Sequence, residues 1–213
     1  MLKIIWRRIK KNPLSVAGLV VILLLASIAL LAPLISPYEP TKIDVYNVLS
    51  PPSAAHPFGT DELGRDLLSR MIWGSRASLK VGFIAVGIAI SIGTILGAIA
   101  GYYGGKIDAV LMRFVDIMLA FPTFFLILAV IAIVEPSIST IMIIIGLTGW
   151  MDVARLVRAE FLTLKERDFI FAARAIGASD FRLIFRHIIP NALSPVFVAA
   201  TFGIAGAILI ESS

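Results

Sequence analysis

The side chains able to do chemistry are few in this chain, and their spacing rules out most reactions. The segment Gly101-Tyr102-Tyr103-Gly104-Gly105-Lys106-Ile107 carries the glycines and lysine of a phosphate-cradling loop. Its first glycine is one residue too close, however, and Ile107 has no hydroxyl to offer magnesium. The two histidines, His56 and His187, fall in loops placed on opposite sides of a membrane by the crossing count below. No His-Glu-x-x-His metal helix, no Gly-x-Ser-x-Gly elbow and no membrane-depth Ser/His pair is present. The cysteine count of zero removes disulfides, thiolate ligands and cysteine nucleophiles. The expectation is a chain that is not an enzyme, with no catalytic residue, no metal site and no cofactor of its own. The remaining ionisable pair of interest is Arg113 and Asp116, three residues apart and therefore neighbours on a helix. Two readings stand for it, a local or snorkelling pair at a helix end and a gate or ion path. Asp152 and Arg155 read most simply as a second local pair.

The elements that position these groups are membrane helices. Hydrophobic residues make up 59% of the chain and charged ones 15%, outside the usual range for soluble domains. Five apolar runs can be drawn, at residues 14–35, 81–100, 110–134, 138–157 and 192–210. Each has about the 20 residues, at roughly 1.5 Å apiece, that a helix needs to cross the hydrocarbon, and none alternates as barrel strands do. The first run is too long for a secretion signal and lacks a small-residue cleavage site, so it reads as a retained anchor. The excess of positive charge lies beside these runs and sets orientation rather than marking a nucleic-acid binder. Lys3, Arg7, Arg8, Lys10 and Lys11 precede the first run with no acid among them, which predicts an N-terminus on the inside. Counting crossings puts residues 36–80 outside, 101–109 inside, the Glu135-Pro136 turn outside, and the polar stretch between runs four and five inside.

The outer segment divides into an extended, proline-punctuated strap over residues 36–58 and a short amphipathic helix capped by Thr60, with Leu63, Leu67, Met71 and Ile72 along one side. Gly93, Gly97 and Gly101 recur at four-residue spacing in run two, and Ala199, Gly203 and Ala207 do so in run five. Both stripes predict close helix packing. Pro122 predicts a kink in run three.

The most informative stretch lies between Phe169 and Pro190. Two short helices meet at Gly177-Ala178-Ser179, where Gly177 suits a left-handed helix end and Ser179 can cap the next helix. Phe181, Ile184, Phe185 and Ile188 follow at helical spacing, while Ala172 and Ala173 present a small face before the bend. The segment resembles the EAA loop of ABC importer permeases: Ala172, Ala173, Gly177 and Pro190 fall in register, with Ile189 for the family's leucine. Phe171 stands in the acidic place and His187 in that of the isoleucine. The stretch Gly59-Thr60-Asp61-Glu62-Leu63-Gly64-Arg65-Asp66 is similar to the segment ahead of the second membrane helix in one permease of the dipeptide, oligopeptide and nickel branch, the second or C-type subunit.

The resemblance covers nearly the whole chain and implies an all-α integral membrane protein with the type I importer permease fold. Five membrane helices are present where six are expected of the family, so the chain reads as C-terminally truncated. Residues 1–80 form an anchor, strap and amphipathic helix, and residues 81–213 a permease core holding a cytoplasmic coupling loop at about 158–190. By the same resemblance Asp168, Ala172, Ala173, Gly177, Ser179, Asp180 and Pro190 dock a separate ATPase. The implied partners are a sibling permease, two ATPase subunits holding ATP and magnesium, an external substrate-binding protein and membrane lipid. A di- or oligopeptide cargo is expected, with nickel or another small solute as the alternative. Two other classes stand beside it: an ATP-independent carrier using Asp116 and Arg113, and a non-transporting scaffold.

Overall fold

The computed structural model describes residues 11–134 and 137–212. The basic residues Lys3, Arg7, Arg8 and Lys10 and the Glu135-Pro136 turn lie outside them. The described chain is helical, in two compact units, Met1–Lys80 and Val81–Ser213.

In the first unit, helix α1 (Pro13–Ile35) starts with proline at its first turn and with the Asn12 side chain accepting the Leu14 amide, so both termination rules are met at its entry. Only Ala29 and Ala32 of α1 are buried, which leaves its apolar surface for lipid. The strap does not run extended, because its turns fold back on one another. Amide hydrogen bonds join Asp44 to Leu63, Leu49 to Asp61, and Thr60 to Ser50. Gly64, at φ +72°, lies so close to the Asp44 carbonyl that a Cβ would sit 1.8 Å from its oxygen. The expected helix start at Thr60 is also displaced. Thr60 is buried, with its hydroxyl donating to the Asn47 carbonyl and accepting the Ser50 amide, so it is spent on the strap. Helix α2 instead begins at Leu67, with Asp66 accepting the Ser69 amide at 2.8 Å as its cap.

Helix α2 (Leu67–Tyr103) runs for 37 residues and absorbs both the amphipathic stretch and run two. In the second unit it is followed by α3 (Gly105–Leu119), α4 (Thr123–Ile131), α5 (Ile138–Lys165), α6 (Asp168–Ala175), α7 (Asp180–Arg182), a π-helical segment (Leu183–Ile188) and α8 (Ile189–Glu211). Four helical spans are long and apolar enough to cross a membrane: α1, α2, α5 and the continuous stretch Asp180–Glu211. Helices α3 and α4 form a fifth candidate, bent by 72° at Pro122, whose ring cannot continue the helical ladder.

Helix α5 is the central element. Its Val157 and Phe161 join a cluster with α6 and α8, its Met142 and Ile145 one with α4, and its Trp150 and Met151 one with α3. The glycine stripe of α2 meets α5 along its length. A Cβ on Gly93 would lie 2.6 Å from the Trp150 carbonyl oxygen, one on Gly97 2.4 Å from that of Ala154, and one on Gly101 2.5 Å from the Phe161 Cβ. The α8 stripe is used differently: Gly203 faces the Val86 side chain of α2, and Ala199, Gly203 and Ala207 line a cleft bounded by α2, α5 and α8.

Candidate functional site

The elbow is built from α6, α7 and the π-helical segment. Asp168 opens α6 in the turn where the helix dipole favours a carboxylate. At the other end Gly177 has φ +83°, and its amide donates to the Arg174 carbonyl at 3.0 Å while that of Ala178 donates to Ala173 at 3.1 Å. This pair of bonds is the Schellman arrangement, which satisfies the last carbonyls of the helix. Ser179 then caps the next helix, its hydroxyl accepting the Arg182 amide at 3.4 Å.

Beyond the cap the geometry departs from ordinary helical spacing. Of the stripe expected at Phe181, Ile184, Phe185 and Ile188, Ile188 is fully buried and Ile184 partly so, while the two phenylalanines are not. Leu183 and Ile188 are fully buried, whereas Phe181 and Phe185 are 71% and 56% exposed. The cause is the wider π turn, in which the Ile189 amide reaches back five residues to the Ile184 carbonyl and places residues five apart on one face. Pro190 supplies the reason for that widening, since it has no amide to give the Arg186 carbonyl and its ring crowds an ordinary turn. The Asn191 side chain donates to the His187 carbonyl at 2.7 Å, which satisfies an acceptor in the same turn.

Burial divides α6 into two faces. Ile170 and Ala173 pack with Val157 and Phe161 of α5, with Leu183 and Ile188, and with Ala192 and Val196 of α8. Ala172, Phe169, Phe171 and Ile176 are exposed, Ile176 by 85%. The pair Ala172 and Ala173 is therefore not a single small face, as the sequence suggests: Ala172 is presented outward and Ala173 is part of the internal packing. The elbow is also tied to the end of α2, where the Tyr102 hydroxyl donates to Asp180 at 2.5 Å. Nothing in the sequence marks that link, because its partners are 78 residues apart.

The ionisable groups pair between helices rather than within them. Asp116 accepts from Arg155 of α5 at 2.5 Å, and Asp108 binds Arg158 through both Nε and Nη2. The local pairs expected from spacing, Arg113 with Asp116 and Asp152 with Arg155, are not formed. Arg113 stands three residues ahead of Asp116, the weaker orientation along a helix, and α3 and α5 pack closely enough around Val115 and Met151 for Arg155 to reach across to Asp116 and leave Asp152. Arg113 forms no ion pair among the described residues.

In the first unit, His56, Asp66 and Ser69 come together in a way that resembles a nucleophilic triad by composition only. His56 Nδ1 lies 3.0 Å from Asp66, and the Ser69 hydroxyl donates to that same carboxylate at 2.7 Å while accepting the Tyr38 amide. Ser69 is fully buried and does not face the imidazole, so the cluster is a knot that pins the strap to the start of α2. Burial pushes the Asp66 carboxyl up, but the Ser69 hydroxyl and amide and the His56 ring outweigh it and hold it below the ordinary carboxylate range. For Asp61 too, burial is outweighed, by the Arg65 and Leu63 amides and the Arg65 guanidinium, and its pKa falls to about 2.

Residues 93–212 match the family described as binding-protein-dependent transport system inner membrane component, and residues 1–52 match the N-terminal membrane domain of oligopeptide transport permease C. The chain is 45% identical over 204 residues to a dipeptide transport system permease protein of Alkalihalophilus pseudofirmus, covering 96% of this chain and 67% of that protein. A dipeptide permease of Bacillus subtilis is 38% identical, covering 97% and 65%, and an oligopeptide permease of the same organism 37%, covering 96% and 67%. The chain spans about two thirds of the length of these relatives.

Proposed function

The chain belongs to the family of binding-protein-dependent transport system inner membrane components, and from that premise we propose that it is one permease subunit of an ATP-driven importer of di- or oligopeptides. A sibling permease completes the pathway, two ATPase subunits dock on the elbow and hold ATP and magnesium, and an external binding protein delivers cargo. The N-terminus lies inside, a placement supported by the basic residues ahead of α1, and the elbow then lies on the same side. Peptide cargo is supported by the relatives, whose names specify dipeptides and oligopeptides.

One observation carries the coupling role, namely the two-faced α6. Its outward face offers Phe169, Phe171, Ala172 and Ile176 to a partner, while Ile170 and Ala173 key it into α5 and α8. A displacement of α6 therefore passes to α5 and α8, two of the helices that wall the cleft. An ATPase can shift the balance between inward-open and outward-open forms only through different affinities for them, and the outward face is where such a difference is felt. Arg113 and Asp116 have no transport role in this reading, because Asp116 is neutralised by Arg155.

The test is uptake of a labelled dipeptide into proteoliposomes holding the complete transporter. Uptake that requires ATP hydrolysis and survives ionophores is expected. Uptake that persists without the ATPases and collapses with ionophores would replace this reading with an ion-coupled carrier.

A further inference from the structure

Asp152 lies in the apolar run 138–157 of α5, toward its inner end, and is exposed; an acid within such a run is a candidate for a functional task. It lines the cleft of about 470 Å³ walled by α2, α5 and α8, a volume within the ~300–1,000 Å³ range of small-ligand sites. Its neighbours there are small or apolar, among them Ala89, Val153, Ala200 and Gly203, and no lysine or arginine lines the cleft. Thr123 of α4 and Thr148 also line it, the Thr148 hydroxyl being committed to the Ile144 carbonyl at 2.9 Å. The nearby cations of α5 are already engaged on the α3 side, Arg155 with Asp116 and Arg158 with Asp108. Among the described residues Asp152 thus has neither an ion pair nor a hydrogen bond, and it is the sole acid of the cleft.

We infer that Asp152 is a specificity-determining residue of the pathway, whose carboxylate receives the primary ammonium group of the cargo. This rests on the peptide-importer reading above and extends it to a chemical requirement. The cleft lining around the carboxylate is mostly small and apolar. A cargo that displaces water from it therefore meets a stronger attraction between carboxylate and ammonium than in bulk water, and the small residues leave space for cargo side chains. Recognition then falls on the group that every free peptide shares.

The experiment uses the complete transporter in proteoliposomes with ATP inside and alanyl-alanine as cargo. Asp152→Asn is expected to lower uptake at least about tenfold, equivalent to ~1.4 kcal/mol, while Asp152→Glu keeps most of it. In the unaltered complex, carbodiimide modification of Asp152, read by peptide mapping, should be slowed by alanyl-alanine and not by N-acetyl-alanyl-alanine, and this arm holds even where a variant fails to assemble. Equal uptake by the Asn variant, equal loss in the Asn and Glu variants, or protection by both peptides alike would each overturn the assignment. Absence of ATP-driven uptake by the unaltered complex would overturn the importer reading and this inference with it.

Discussion

Replacing Ile170 by alanine separates the internal face of the elbow from its outward face. The Ile170 side chain is fully buried between α5, the π-helical segment and α8, so its truncation removes apolar contacts and leaves a void that the surrounding helices fill only in part. Such truncations cost about 2–5 kcal/mol, and Phe161, Leu183 and Ile188, all fully buried, leave little freedom to collapse. Phe171 is half exposed, so Phe171→Ala should cost well under ~1 kcal/mol of stability, as surface changes do, while removing part of the partner surface. The assay is thermal unfolding of the purified transporter beside ATP hydrolysis stimulated by loaded binding protein. Ile170→Ala should lower both the unfolding temperature and the stimulation, and Phe171→Ala the stimulation alone. A lowered unfolding temperature for Phe171→Ala with none for Ile170→Ala would refute the two-faced arrangement.

Three further outcomes follow from the same geometry. Gly97→Val should abolish accumulation of the protein in membranes, because its Cβ meets the Ala154 carbonyl at 2.4 Å and backbone cannot yield; Gly87→Ala, with nothing within 4 Å, is the tolerated comparison. For Gly177→Ala the added Cβ meets no atom within 4 Å, so its cost is the left-handed backbone alone, ~1–2 kcal/mol, seen as a modest fall in unfolding temperature together with weaker coupling. The strap should loosen in acid: Asp61 and Asp66 are depressed in the folded state, so their contribution is complete above the ordinary value of 3.8 and is lost as pH falls through the folded values, about 2 for Asp61. Pepsin cleavage within residues 36–66 should accordingly rise between pH ~4 and ~2, and a flat profile would contradict it.

Much of this molecule is readable from residue type and spacing where the cause is local. Gly93, Gly97 and Gly101 announce a close helix approach, Pro122 a broken span, and Gly177 the left-handed end of α6, since each follows from what one residue's backbone permits. Features that depend on distant partners are not readable in that way. Thr60 is a good helix cap by type, yet the strap claims its hydroxyl and leaves Asp66 to cap α2. Asp116 has an arginine at helical spacing in its own helix, but α5 presents another, and the pair forms across helices. Ala172 and Ala173 are identical in type, and only the packing of α6 on Phe161 and Leu183 distinguishes an outward alanine from a buried one. The π turn follows from Pro190, but its effect, burying Leu183 beside Ile188 while Phe181 and Phe185 stay exposed, needs the five-residue hydrogen bond to be seen.

The central claim is that the outward face of α6 is the seat of a nucleotide-hydrolysing partner on the inner side of the membrane. The chain has no cysteine, so Phe171→Cys gives a single reactive point on it. Crosslinking of that point in the intact transporter should capture an ATPase subunit, with a yield that changes when nucleotide is added. Labelling of the same cysteine by an impermeant maleimide from outside intact cells, with no ATPase captured, would contradict the account.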